Sequence, residues 1–331
     1  MSRRRPAGEG RPEAGLPGRT GRARAWAELL RLPALFTVPG DALAGAAATS
    51  GRANRRTLLA IGSSLCLYEA GMALNDWADR VEDAVERPHR PLPSGRVHPT
   101  AALAAACAFT GAGLSLAACA GRPALTVAVP LAATVWAYDL SLKHTAAGPA
   151  AMAAARGLDL LLGAAATATS GIRPALPSAA VLGAHTFAVT TVSRRETQGG
   201  SPLAALSALT TTAALSGLLT HPPRSQGSQE GQGSQGSLGT PGTPGTPGRS
   251  TSPAVAAVLT AAYASTVARP YFHATLNPSP PLTQRAVGAG IRAMIPLQCA
   301  LSARSGAPVA ALLTAALSPL AARFAKKVSV T

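Results

Sequence analysis

The stretch RTLLAIGSSLCLYEAGMALNDWADRVED (residues 56–83) runs from an apolar, alanine-rich segment directly into a cluster of acids. About 20 consecutive apolar residues cross a bilayer as a helix. Residues 56–78 therefore read as a transmembrane helix that delivers Asn75, Asp76, Asp79 and Asp83 to its end. An acid at a bilayer centre costs roughly 2.5 to 3.5 kcal/mol on insertion scales, so acids kept at such a boundary mark a functional site.

Working outward, apolar segments of similar length recur near 27–49, 99–120, 122–140, 147–169, 175–193, 201–220, 252–271, 283–302 and 305–323. The fold class they predict is all-α: a polytopic membrane helical bundle of nine or ten transmembrane helices. Composition agrees, with 13% charged residues against about 25% in soluble domains, and a mean hydropathy of +0.20. Abundant Ala, Gly, Ser and Thr suit close helix packing in lipid. Cys66, Cys107, Cys119 and Cys299 lie singly in apolar segments and read as small packing residues, without metal-ligand spacing.

The net charge of +16 is placed like a topology signal. Residues 1–26 form a basic, Pro/Gly-rich tail expected to be disordered, and no interleaved aromatics point to nucleic acid. Residues 27–220 carry helices one to seven, 221–252 form a Gly/Ser/Pro/Thr-rich flexible linker, 253–323 carry the C-terminal helices, and 324–331 form a cytoplasmic tail. With the N-terminus cytoplasmic, the loops holding Arg80 to Arg96, Lys143, Arg194 and Arg195 also face the cytoplasm. Arg52, Arg55 and Arg56 would face outward against that count. The expectation is an integral protein of a bacterial inner membrane, in contact with membrane lipid, with its acidic site facing the cytoplasm. No feature points to a protein partner.

Asp76, Asp79 and Asp83 are three and four residues apart, which sets them on one face of a continuous helix. Hard oxygen donors in this number suit Mg²⁺, which keeps waters and is held by one or two carboxylates together with substrate phosphates. Zinc is disfavoured because no His or Cys joins the cluster in sequence. The following loop, RPHRPLPSGR (87–96), is stiffened by prolines and brings cations beside the acids, with Arg87 and Arg90 able to grip phosphate oxygens. The plain alternative is a solvated acidic helix end followed by ordinary loop cations.

NDxxDxxxD followed by RPLPSGR after the second span resembles the UbiA family of intramembrane prenyltransferases. The resemblance extends from about residue 27 to 323. It implies a helical bundle with a central cavity and transfer of a prenyl group from a Mg²⁺-bound polyprenyl diphosphate to a lipophilic, often aromatic, acceptor. On that resemblance Asn75, Asp76, Asp79 and Asp83 carry over as the first metal-diphosphate motif. YDLSLK (138–143) looks like the family's tyrosine and lysine element, with Tyr138 and Lys143 reaching the diphosphate.

The second acidic motif of that family, DxxxD at the end of helix six, should fall at TVSRRETQGG (191–200), where Glu196 alone is acidic. Glu196 stands for its second aspartate, and Arg194 and Arg195 would neutralise the diphosphate directly. This departure motivates an alternative: a carrier of lipid or prenyl compounds that kept the fold and lost transfer. The pattern resembles a divergent, actinobacterial-type branch and not the ubiquinone or haem branches. Four ionisable residues lie within spans. Asp41 and Glu69 are candidates for the acceptor cavity, with a packing role for Glu69 equally open. Arg156 and Asp159 are expected to pair with each other, and His185 is expected to be a satisfied packing group.

Overall fold

A computed structural model describes residues 19–49, 52–168, 171–196, 199–221 and 253–328. The expected linker, apart from His221, lies outside the described residues, as does the tail up to residue 18. Among the described residues every regular element is helical. In chain order they are α1 (Arg19–Leu29), a 3₁₀ segment (Leu32–Thr37), α2 (Val38–Ala48), α3 (Arg55–Ala78), α4 (Arg80–Glu86), α5 (Pro99–Ala120) and α6 (Arg122–Ala137). A π-helical turn (Tyr138–Leu142), α7 (Gly148–Thr167), a 3₁₀ turn (Arg173–Ala175), α8 (Leu176–Ser193), α9 (Pro202–Thr220), α10 (Pro253–Leu276), α11 (Pro280–Arg304) and α12 (Pro308–Val328) follow.

Seven described helices are long and apolar enough to cross a membrane: α3, α5, α6 with its π-turn, α7, α8 with its leading turn, α9 and α11. Local chemistry sets their starts. Proline stands at the first helical turn of α5, α7, α9 and α11, where its missing N–H costs nothing. A capping box opens α3: Asn54 Oδ1 accepts from the N–H groups of Arg56 at 2.8 Å and Thr57 at 3.3 Å, and Thr57 Oγ1 accepts from the Asn54 N–H at 3.0 Å.

The first expected span, 27–49, is not one helix. Arg31 takes a left-handed conformation with φ 47°, and a 3₁₀ segment carrying Pro33 precedes the 11-residue α2. At 1.5 Å per residue α2 reaches only about half the hydrocarbon thickness. The basic tail also ends earlier than expected, because α1 begins at Arg19. Ala25 and Leu29 are fully buried in a cluster with Ala73, Leu74 and Trp77. At the other end α12 continues helically to Val328, through part of the expected cytoplasmic tail.

Two helix groups meet on α7. One core joins α3, α5, α6 and α7 through Leu67, Leu131 and Leu162. The other joins α7 to α8, α9, α10 and α11 through Leu160, Leu182, Tyr263, Tyr271 and Leu297. Short α2 lies across α7 at a glycine crossing. A Cβ at Gly45 would strike the Leu160 carbonyl, and one at Gly163 would strike the Ala42 backbone. Without side chains there, the two backbones approach far enough for dispersion contacts to accumulate.

Candidate active site

A cavity of about 510 Å³ opens between the two helix groups. Its walls are apolar, with Leu67, Met72, Leu131, Val135, Val189 and Ile291 among them. Arg31, Asn75, Tyr138, Asp139 and Ser193 line one end, and Ser64, Arg156 and Asp159 line it deeper in the bundle. Ser64 precedes Asn75 by eleven positions on α3, a depth of about 16 Å.

The mouth is built from helix ends. Asn75 and Asp76 lie in the last turn of α3, and Asp79 caps both that helix and α4. This break divides the acids expected on one face. Asp76 and Asp83 stay together because Arg90 lies between them, with Nη1 2.7 Å from Asp83 Oδ2 and 3.8 Å from Asp76 Oδ1. Arg87 approaches Asp83 at 3.5 Å. Asp79 turns instead to the element after α6, where it pairs with Lys143 and lies 3.8 Å from His144 Nε2. The π-turn presents Tyr138 and Asp139 to the cavity, and such turns often carry functional residues.

Several members of this cluster were not apparent in the sequence. Arg31 donates to Asp76 Oδ1 at 3.2 Å and to Asn75 Oδ1 at 3.4 Å. Asn75 donates to Asp139 Oδ1 at 3.3 Å, and Asp139 is buried. Asp79, Glu82 and His144 offer ligand atoms within 4.8 Å of one another. The cluster therefore includes an imidazole, contrary to the sequence expectation, because the π-turn folds His144 back over the α3 end. None of them carried a sequence signal, since the left-handed backbone that sets Arg31 is revealed only by the fold.

The end of α8 reaches the mouth through Ser193, while Arg194 and Arg195 are exposed. Glu196 is partly buried. Burial pushes its carboxyl above the usual carboxylate range, and the charge of Arg87 opposes that shift. The loop after α4 thus faces the end of α8.

The deeper ionisable residues depart from expectation. Glu69 is buried, and its two oxygens have no hydrogen-bond partner among the described residues. It does not line the cavity. It lies two turns below Asp76 on α3, whereas Ser64, Tyr68, Gly71, Met72 and Asn75 of that helix line the cavity. Asp41 also lies behind the wall. Arg156 pairs with Asp41, at 2.7 Å, and not with Asp159. Three-residue spacing brings Arg156 and Asp159 to one face of α7, but the crossing of α2 puts Asp41 against that face. Asp159 accepts from Ser64. Gln298 of α11 donates to Asp41 Oδ1 at 2.6 Å. His185 is satisfied as expected, with Nδ1 3.1 Å from the Tyr263 hydroxyl and Nε2 3.0 Å from the Gly290 carbonyl.

The model of the UbiA prenyltransferase family matches residues 34–216. A digeranylgeranylglyceryl phosphate synthase from Methanopyrus kandleri is 35% identical over 127 residues, which cover 37% of this chain and 45% of that protein. The chain thus spans about half the length of the curated relatives it matches. The fold is similar to that of a UbiA homolog from Aeropyrum pernix, with a TM-score of 0.61 at 18% identity, covering 81% of this chain and 96% of the other. A UbiA homolog from Archaeoglobus fulgidus, bound to DMAPP and Mg²⁺, gives a TM-score of 0.50 at 17% identity, over 59% of this chain and 76% of that one.

Proposed function

The chain belongs to the UbiA prenyltransferase family, and from that footing we propose that it transfers a prenyl group from an allylic diphosphate to a lipophilic acceptor within the membrane. The observation that carries this reading is the convergence of Asp76, Asp79 and Asp83 with Arg31, Arg90 and Lys143 at one end of an apolar cavity. The binding of DMAPP and Mg²⁺ by a similar fold supports the donor class. The name of the Methanopyrus relative supports a lipid acceptor. The positive-inside count supports a site on the cytoplasmic face of an integral membrane protein, as in a bacterial inner membrane.

The donor set fits a hard divalent ion. Asp76 and Asp83 share Arg90, Asp79 pairs with Lys143, and the ammonium of Lys143 has no hydrogen-bond acceptor beyond that ion pair among the described residues. Mg²⁺, when bound, would neutralise part of the diphosphate charge. Arg31, Arg90 and Lys143, now resting on carboxylates, would turn to phosphate oxygens as negative charge grows on the leaving group. Preorganised cations stabilise that separation without reorganising solvent. Asn75 and Tyr138 would orient the diphosphate, and Arg87, Arg194, Arg195 and Glu196 would close its outer side. The apolar walls would hold the prenyl chain away from water; the acceptor atom bonds to the allylic carbon as the carbon–oxygen bond to diphosphate breaks, and the proton it loses passes to the released diphosphate.

Membranes containing the chain, incubated with labelled geranylgeranyl diphosphate and Mg²⁺, should release diphosphate and form a prenylated lipid. The Asp76→Ala variant should lose both release and Mg²⁺-dependent diphosphate binding, and unchanged turnover in that variant would sink the assignment. The carrier reading draws on the altered second motif, in which Glu196 faces Arg87. Diphosphate bound without release in the parent chain would favour it.

A further inference from the structure

Beyond residue 230 the chain contains no Asp or Glu, yet α10 and α11 carry Arg269, Arg285 and Arg292. Among the described residues none of these three guanidiniums has a hydrogen-bond or ion-pair partner, and all three are exposed. Arg269, His273 and Arg285 line a groove of about 220 Å³, with Pro270 and Leu282, on the outer side of the α10–α11 hairpin. Phe272, 51% exposed, and Leu276, 69% exposed, lie beside it on α10. This surface is apolar apart from its cations.

Its depth follows from the topology. The α10–α11 turn lies at the same end of the bundle as the acidic site, since a Cβ at Gly200, just after α8, would stand 3.2 Å from the Pro278 carbonyl. Arg285 is in the second turn of α11, and Arg269 is seven residues before the end of α10. Both fall near a membrane interface. Arg292 is two turns deeper on the same face of α11 as Arg285, about 18 Å below the helix start. Its side chain lies over Gly288, one turn nearer that start, as long helical side chains do: Nη1 is 3.2 Å from where a Cβ of Gly288 would stand. A guanidinium at that depth needs an anion or water, and this direction brings it nearer the interface.

We propose that the Arg269–His273–Arg285 groove, with Arg292 turned toward it, holds the phosphate of an anionic membrane lipid in the leaflet on the acidic-site side. Arg offers forked donors to phosphate oxygens, and the flanking Phe272 and Leu276 would lie along the acyl chains. Among the described residues no acid competes for the cations. The site is separate from the cavity, whose wall uses Val287, Ile291 and Met294 on the opposite side of α11.

The test uses the full chain, purified and exposed to an equal mixture of phosphatidylglycerol and phosphatidylcholine, with retained lipids read by native mass spectrometry. The parent should keep phosphatidylglycerol in preference by about thirtyfold or more, from two to three interfacial arginines. The R269Q/R285Q double variant should lose that preference, while R122Q, at the opposite end of the bundle, should keep it. Equal retention of both lipids by the parent, or an unchanged preference in the double variant, would overturn the proposal. Displacement of the lipid by millimolar inorganic phosphate would also overturn it, marking a free-anion site. Should the double variant not fold, the parent's melting temperature decides: phosphatidylglycerol must raise it and phosphatidylcholine must not, and R292Q must reduce the rise.

Discussion

Asp79 is the residue on which the site turns. It ends α3, starts α4 and gives its carboxylate to Lys143, so the acid cluster is shared between two helix ends and a π-turn. Glu196, which the sequence reading sets in the place of the second acidic motif, has a charge state open to measurement. Folding raises its carboxyl above the unfolded value near 4.5, so the native chain binds that proton more tightly than the unfolded chain does. The stability tied to this group is complete below the unfolded value and is lost as pH rises through the folded one. Glu196→Gln should therefore melt higher than the parent at about pH 8 and equal to it at about pH 3.5. A scan in detergent at both pH values checks this, and a lower melting point at the higher pH would count against it.

At the scale of elements, the glycine crossing of α2 and α7 holds the deep part of the bundle together. A side chain at position 163 would meet the Ala42 backbone, which cannot rotate away. Overpacking of this kind costs about 1 to 3 kcal/mol, so Gly163→Val should lower the melting temperature measurably, while an exposed position such as Gly111, with open space around it, should accept Ala without loss. The short α1 is tied down differently. Arg96 donates to both oxygens of Glu28, at 2.7 and 3.1 Å, and joins α1 to the cationic loop of the site. Exposed pairs contribute about 0.2 to 1 kcal/mol. Arg96→Ala should leave the spans intact and speed limited proteolysis around residues 19–31.

Across the whole molecule, a buried polar network joins α2, α3, α7 and α11 beneath the cavity through Asp41, Ser64, Arg156, Asp159 and Gln298. Removing one charge leaves its partner stranded in a medium that solvates it poorly, at about 3 to 5 kcal/mol. Asp41→Leu should thus unfold at a much lower temperature than the parent, and adding Arg156→Leu should recover part of the loss. Additive damage in the double variant would show that the pair is not the unit. The network also explains how short α2, which cannot span alone, is held at its depth.

Much of the bundle was legible because run length and proline position carry it. The segments expected at 99–120 and 201–220 differ from α5 and α9 by at most one residue, since apolar runs in lipid must be helical and proline marks their starts. The first span was misread because hydropathy measures apolar content and not continuity, and the left-handed Arg31 interrupts it. The acids at 75–83 were legible as a cluster, and their partners were not. Arg31 and Asp139 lie 45 and 64 residues from the groups they bond, and no periodicity spans such separations. The sequence by itself determined an all-helical membrane chain with acids and cations gathered at one end, because charge and hydropathy are local properties. Only the tertiary structure decided which charges meet: Lys143 with Asp79, Arg156 with Asp41, and, among the described residues, Arg269, Arg285 and Arg292 with no acid at all. Helical period assigns a residue to a face, whereas pairing depends on how helices cross and where they break.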